Sequence, residues 1–210
     1  MDMVSFGRTG LQVSVAGLGC GGNSRLGLGQ GKTEADAVRL IRAAHDLGVN
    51  FLDTAQAYGT EGAVGAAVAE IGRDNVVIST KSLIRKGVAL ITAGDLRANL
   101  DASLGLLGTD FVVIYNLHAV KPDDYAYAEA EMLPELVKAR EAGKIRHIGI
   151  TETSPHDPEQ RMLRTALHNP DWEAAMFAIH MLHQGATRDV LPLSQANGVG
   201  TMAMLSLIHI

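Results

Sequence analysis

Residues 50–59 read NFLDTAQAYG, residues 75–81 read NVVISTK and residues 110–118 read DFVVIYNLH. Each begins as a short apolar run of the kind that forms a strand buried on both faces, and each run ends in an ionisable side chain: Asp53, Lys81 and His118. Strands of that sort belong to a parallel sheet covered by helices. In a closed parallel barrel the strands point their carboxyl ends at one rim, where residues far apart in sequence come into contact. Tyr58, just after the run that ends at Asp53, adds a phenol to the group. Tyrosine, lysine, aspartate and histidine together suit proton transfer to a carbonyl better than metal binding or nucleophilic attack.

Outward from these runs, strand-like and helix-like segments alternate. VSFGRTGLQVS (4–14) predicts a hairpin turning at Arg8, Thr9 and Gly10, followed by a first barrel strand near Val15 to Leu18. Thr33 and Asp36 form a capping box that opens a helix with an apolar stripe at Ala37, Ile41, Ala44 and Leu47 and a stop at Gly48. Strand 50–54 then precedes helix 61–71, closed by Gly72, and strand 76–80 precedes a helix begun by Thr92 and Asp95 and closed by Gly108. Strand 111–117 leads to a helix containing 133–140, and strand 145–150 to a helix opened by Asp157 and Pro158. Strand 174–181, helix 187–196 and strand 200–205 complete the pattern. Seven strands and six helices in alternation predict an α/β fold, a TIM (β/α)8 barrel that lacks its eighth strand, in one domain over 1–210. The outer strands of such an open sheet would expose unpaired edges.

Composition sets the class. A chain of 210 residues that is 47% apolar fills one sizeable core, and a net charge of −5 argues against a nucleic-acid partner. The single cysteine, Cys20, cannot form an internal disulfide and reads as a small buried hydrophobe. MDMVSFGRTG has no signal-peptide pattern and no uninterrupted apolar run reaches ~18 residues, so the expectation is a cytoplasmic protein with no membrane partner. Oligomeric state is not legible.

The glycine-rich stretch AGLGCGGNSRLGLGQGKT (16–33) holds two motifs that fail on context. Gly17, Gly19 and Gly22 fit G-x-G-x-x-G, but no helix opens there, and GKT at 31–33 lacks the earlier glycine of a phosphate loop, where Leu26 stands. A strand-to-helix loop is the expectation. His180 and His183 have no carboxylate at ligand spacing, so no metal site is predicted, and Met176, Met181, Met202 and Met204 read as core filler.

Taken in order, FGRTGLQVS, the glycines after it, NFLDTAQAYG, VVISTK, a strand ending in LH, and AREAGKIRHIGIT resemble the aldo-keto reductases over nearly the whole chain. The resemblance implies an eight-stranded barrel that binds NADP(H) in extended form without a Rossmann domain. It makes Asp53, Tyr58, Lys81 and His118 the catalytic tetrad and places Gly21, Thr151, Glu152 and Gln184 at the cofactor. Many relatives carry Ser-Asn where this chain has Thr151 and Glu152, and an ionised Glu152 could not donate to a carboxamide. Gln184 serves only if its strand ends near Leu182. On the sixth strand Ile179 and His180 replace the family's aromatic or asparagine. The family's adenosine 2′-phosphate site has no counterpart, and SLIHI (206–210) differs from the family's continuation, so the expectation is a truncated chain that binds NADPH weakly.

The chemistry of the four supports the assignment. A phenol with a reference pKa of ~10 is a poor acid at neutral pH, and an ammonium beside it lowers that value. Asp53 would hold Lys81 charged and in place, and a neutral His118 would donate a hydrogen bond to a carbonyl oxygen. The hydride must come from nicotinamide. The expected function is reversible reduction of an aldehyde, ketone or sugar, nearest to the bacterial-type aldose or sugar dehydrogenase branch. The alternatives are a non-catalytic regulatory NADP-binding barrel, an inactive fragment, and, more remotely, a metal-dependent hydrolase.

Overall fold

A computed structural model describes residues 1–205, so SLIHI lies outside the described residues. In chain order the main elements are a hairpin of Met3–Ser5 (β1) and Gln12–Ser14 (β2), then Leu18–Gly19 (β3), Glu34–Asp46 (α1), Phe51–Asp53 (β4), Glu61–Ile71 (α2) and Val77–Leu83 (β5). A small hairpin, Arg85–Lys86 (β6) with Ala89–Leu90 (β7), precedes Ala93–Leu107 (α3) and Val112–Val120 (β8). Tyr125–Tyr127 (α4), Leu133–Glu141 (α5), Ile145–Glu152 (β9), Arg161–Ala166 (α6), Ala174–Ala178 (β10), Val190–Ala196 (α7) and Gly200–Met204 (β11) follow. The seven strands β3, β4, β5, β8, β9, β10 and β11 pair with their neighbours in that order, every pair parallel. This is the parallel α/β sheet of a (β/α)8 barrel, and all its carboxyl ends lie on one side.

Both capping boxes form: the Thr33 and Thr92 hydroxyls accept from the backbone N–H groups of Asp36 and Asp95, whose carboxylates accept in return. Three local readings, and the core placement of Met181, need correction. Val15 is exposed and donates its N–H to the Asp2 carbonyl at 2.9 Å, so it continues the hairpin and the first barrel strand begins only at Leu18. The strand expected over 174–181 stops at Ala178, because His180 and His183 exchange backbone hydrogen bonds of 3.1 and 2.9 Å in a tight turn. That turn leaves Met181 exposed, whereas Met176 and Met202 are buried. Asp157 and Pro158 form a turn and not a helix start; α6 begins at Arg161 after Gln160 takes a left-handed φ of 52°. Asp157 still caps it, accepting from the Met162 N–H at 2.9 Å. The helix around 133–140 is entered through α4 and a π-helical turn over Ala128–Met132, directly before Pro134, whose missing N–H cannot close a regular turn.

Two cores result. One fills the layer between the sheet and its helices and includes Ile41, Leu52, Val64, Leu104, Tyr115, Leu136 and Trp172. The other gathers Phe6, Val13, Phe51, Val77, Ile114, Met176 and Met202 toward the amino ends of the strands. The N-terminal hairpin closes this lower end. Arg8 donates to the carbonyls of Asn197, Pro170 and Trp172, while Asn50 Oδ1 accepts from the Ser14 N–H at 2.7 Å, so the hairpin ties the region before β11 to the start of β4. With a strand period of two, the residues above the apolar plug on the same faces are Asp53, Ser79, Lys81, Asn116 and His118. The interior therefore turns from apolar to polar on passing toward the carboxyl ends. Among the described residues no helix is long and apolar enough to cross a membrane, and no group of three His, Cys, Asp or Glu could hold a metal.

Candidate active site

Lys81 stands at the centre of the polar end. Its side chain is fully buried, and Nζ donates to Asp53 Oδ2 and to the Thr54 carbonyl, each at 2.7 Å. An ammonium taken out of water requires such partners. β4 and β5 are paired in register, Asp53 opposite Ser79, which brings the two charges together from positions 28 apart in sequence. Beyond Asp53 the chain makes a short 3-10 turn, Gln56–Tyr58, before α2. This turn carries Tyr58 over the lysine, with Nζ 5.0 Å from the ring centroid. His118 meets the same ring edge-on, centroids 5.6 Å apart at 87°.

His118 owes its aim to an irregularity that no glycine announces. The β8–β9 register shifts between Leu117 and Val120, and Ala119 adopts a left-handed φ of 54° while donating its N–H to Thr151 Oγ1 at 2.7 Å. Such a bulge re-aims the residue beside it. The fourth wall is Gly21: a Cβ there would lie 2.6 to 2.8 Å from three atoms of the Tyr58 ring, so only glycine lets the loop after β3 touch the phenol. Gly21, expected at the cofactor, is thus packed against the phenol ring.

The electrostatics differ from expectation at one point. Burial pushes the Tyr58 phenol above its usual value, and this outweighs the opposing influence of Lys81, so the net effect is a raised and not a lowered pKa. The phenol holds its proton at neutral pH. Burial, and then the charge of Lys81, bring His118 down to about 4, so its imidazole is neutral, and Nδ1 is buried without a hydrogen-bond partner. Burial also drives the Cys20 thiol up to about 12, with Asp53 adding to the effect, and the residue is an inert part of the core.

The other residues expected at the cofactor divide. Thr151 is buried at the end of β9; its oxygen accepts from Ala119, leaving its own proton to donate. Glu152 is buried beside it, Oε1 accepting from the Ala178 N–H at 2.6 Å and Oε2 having no partner. Gln184 is exposed on the loop beyond β10, and its amide reaches only the Met181 carbonyl at 3.4 Å. Because β10 ends at Ala178 and not near Leu182, the condition for Gln184 to serve is not met.

Burial raises Glu152 to about 7, with Asp157 adding to the effect. A raised carboxyl pKa makes its contribution to stability greatest below the ordinary glutamate value, and this contribution is lost as pH rises through about 7. We expect melting temperature to fall between pH 5 and 8 by the equivalent of up to ~3 kcal/mol, and Glu152→Gln to remove most of that slope. Calorimetry across this range checks it; an unchanged slope in the Glu152→Gln variant would assign the dependence elsewhere.

Sequence reasoning passed over Ser79 and Asn116, which support the cluster from below. Ser79 Oγ donates to Asp53 Oδ1 at 2.9 Å, and Asn116 Nδ2 donates to Ser79 Oγ and to the Thr80 carbonyl, both at 3.0 Å. The signal was present: each lies two positions before an ionisable strand-end residue, hence on the same face.

Comparison with known proteins bears on the family of the chain. A model described as the Aldo/keto reductase family matches residues 17–209. L-galactose dehydrogenase of Arabidopsis thaliana is 30% identical over 209 residues, which cover 97% of this chain and 64% of that protein. 6-Dehydroglucose reductase of Novosphingobium aromaticivorans is 35% identical over 135 residues, 58% of this chain and 43% of that protein. The holo form of aldo-keto reductase AKR11C1 from Bacillus halodurans aligns with a TM-score of 0.77 at 25% identity, covering 97% of this chain and 65% of that one. The chain spans less than two thirds of the length of each of these relatives. With the family match running from the first barrel strand onward and the same fold in the structural relatives, the chain belongs to the aldo/keto reductase family.

Proposed function

We propose that the chain is an NADP(H)-dependent oxidoreductase that interconverts an aldehyde or ketone with its alcohol, using Tyr58 as general acid and base. The observation that carries this is the meeting of the Tyr58 phenol, the buried Lys81 amine with its Asp53 partner and the His118 imidazole at the carboxyl ends of three parallel strands. In the direction of reduction Tyr58 gives its proton to the carbonyl oxygen, and the ammonium of Lys81 stabilises the phenolate left behind. Asp53 holds Lys81 in place, and His118 orients the carbonyl oxygen by donating an N–H. Nicotinamide, when bound, would supply the hydride that no side chain can. The unspent Thr151 hydroxyl proton suits the amide edge of that ring.

A sugar is the favoured substrate class, because two relatives are named for sugar chemistry, L-galactose dehydrogenase and 6-dehydroglucose reductase. The test is consumption of NADPH by the purified chain against a panel of aldehydes and aldoses, with NADP+ and aldoses for the reverse direction. Turnover with at least one sugar or small aldehyde is expected. A chain that binds NADPH and turns over none of them would favour the regulatory-barrel reading instead.

A further inference from the structure

The Asp53 carboxylate is held from both sides. Oδ2 accepts from Lys81 Nζ at 2.7 Å, and Oδ1 accepts from Ser79 Oγ at 2.9 Å. A serine hydroxyl has one proton, so a Ser79 that gives it to the Asp53 carboxylate at 2.9 Å, a stronger and nearer acceptor than the Met202 Sδ at 3.9 Å, can only accept from Asn116 Nδ2 at 3.0 Å. The amide orientation of Asn116 follows from the same logic. Nδ2 also faces the Thr80 carbonyl at 3.0 Å, which cannot donate, so the nitrogen and not the oxygen must lie on this side. Oδ1 is then left buried without a partner on the side of Gly149. Gly149 stands opposite Asn116 in the β8–β9 register, and a Cβ on it would come within 2.1 Å of that oxygen. Ser79, Asn116 and Lys81 are all fully buried, so solvent reaches this group only at the Asp53 carboxylate, whose side chain is 14% exposed.

We infer that Asn116 and Ser79 are positioning residues, a directed hydrogen-bond chain from Asn116 through Ser79 to Asp53 that fixes the carboxylate's rotation and thereby the aim of the Lys81 ammonium. A carboxylate held only by Lys81 could rotate about its terminal bond and pull the ammonium off its line to Tyr58. The chain removes that freedom by giving each oxygen its own donor. Gly149 belongs to the same device, since it clears the space that Asn116 occupies. The role of the chain in catalysis rests on the reductase reading; its effect on Lys81 does not.

The test therefore reads Lys81 directly. In the purified 210-residue chain labelled with 15N-lysine, the side-chain ammonium resonance of Lys81 is identified by its loss in Lys81→Met. Ser79→Ala is expected to speed hydrogen exchange of that ammonium by at least about tenfold, the ratio that follows from losing one hydrogen bond to a charged group. Ser79→Thr, which keeps the hydroxyl, is expected to restore slow exchange. Asn116→Leu is expected to act like Ser79→Ala, and Gly149→Ala serves in its place should the leucine variant not fold. Where turnover is measurable, Ser79→Ala lowers kcat with KM little changed. Exchange at Lys81 unaltered by Ser79→Ala, with only a lower melting temperature, would overturn the proposal and leave Ser79 a packing residue. Slow exchange abolished by Ser79→Ala in a chain that reduces no carbonyl would uphold the chain of hydrogen bonds and remove the reductase reading alone.

Discussion

Tyr58→Phe is expected to lower carbonyl reduction by about 10²–10⁴-fold, the range usual for a positioned general acid, while NADPH affinity changes little. The substitution removes one oxygen and leaves the ring. Its contacts with the Gly21 backbone and the edge-on packing against His118 persist, and the Lys81–Asp53 pair does not depend on the hydroxyl, so the fold has little reason to change. The pH dependence follows from the raised phenol: the acid form survives above the ordinary tyrosine value, so the reductive rate should hold into the alkaline range before it falls. The oxidative direction, which needs the phenolate, should instead rise with pH over the same range. Steady-state kinetics in both directions for the two chains decides it. Near-normal turnover in the phenylalanine variant would remove Tyr58 from the chemistry and, with it, the reason to read this cluster as a reductase site.

Much of this site was legible because strand period and strand ends are local properties of sequence. NFLDTA, NVVISTK and DFVVIYNLH announce buried strands, and parallel topology then forces Asp53, Lys81 and His118 to one end without any knowledge of the coordinates. The capping boxes at Thr33 and Thr92 were legible for the same reason, since three residues of backbone suffice to form them. What failed depends on contacts between distant segments. Nothing near Ala119 marks a bulge, because the strain is offset by Thr151 on the next strand. Val15 looks like a barrel strand until Asp2 claims its N–H. The 174–181 run has strand composition to its end, yet His180 and His183 turn the chain back after Ala178.

The direction of the Tyr58 shift was misjudged for a physical reason of the same kind. A sequence shows that an ammonium will be near, but not how much water Gly21 and the neighbouring strands will exclude from the phenol, and exclusion is the larger influence. Glu152 reverses the error. Counted as an ionised and therefore unsuitable donor, it is buried deeply enough to keep a proton to about pH 7.

Asp53→Ala is expected to destabilise the chain by about 3–5 kcal/mol, the usual result of removing one member of a buried ion pair. At roughly 2–4 °C per kcal/mol for a chain of this size, that lowers the melting temperature by about 10 °C. The asymmetry of burial makes the prediction specific. Lys81 is fully buried and would keep only neutral partners, the Thr54 carbonyl and the Tyr58 side chain, whereas Asp53 is 14% exposed and, in Lys81→Met, would retain Ser79 and some contact with water. Lys81→Met should therefore cost clearly less than Asp53→Ala. The paired replacement, Asp53→Ala with Lys81→Met, leaves neither charge stranded and should recover part of the loss, giving a coupling of more than ~1 kcal/mol in a double-mutant cycle. Equilibrium unfolding of the four chains in urea supplies the numbers. Additive effects, or a lysine variant as unstable as the aspartate one, would mean that the pair is solvated in the protein and that its partners, not its burial, set the charge at the barrel mouth.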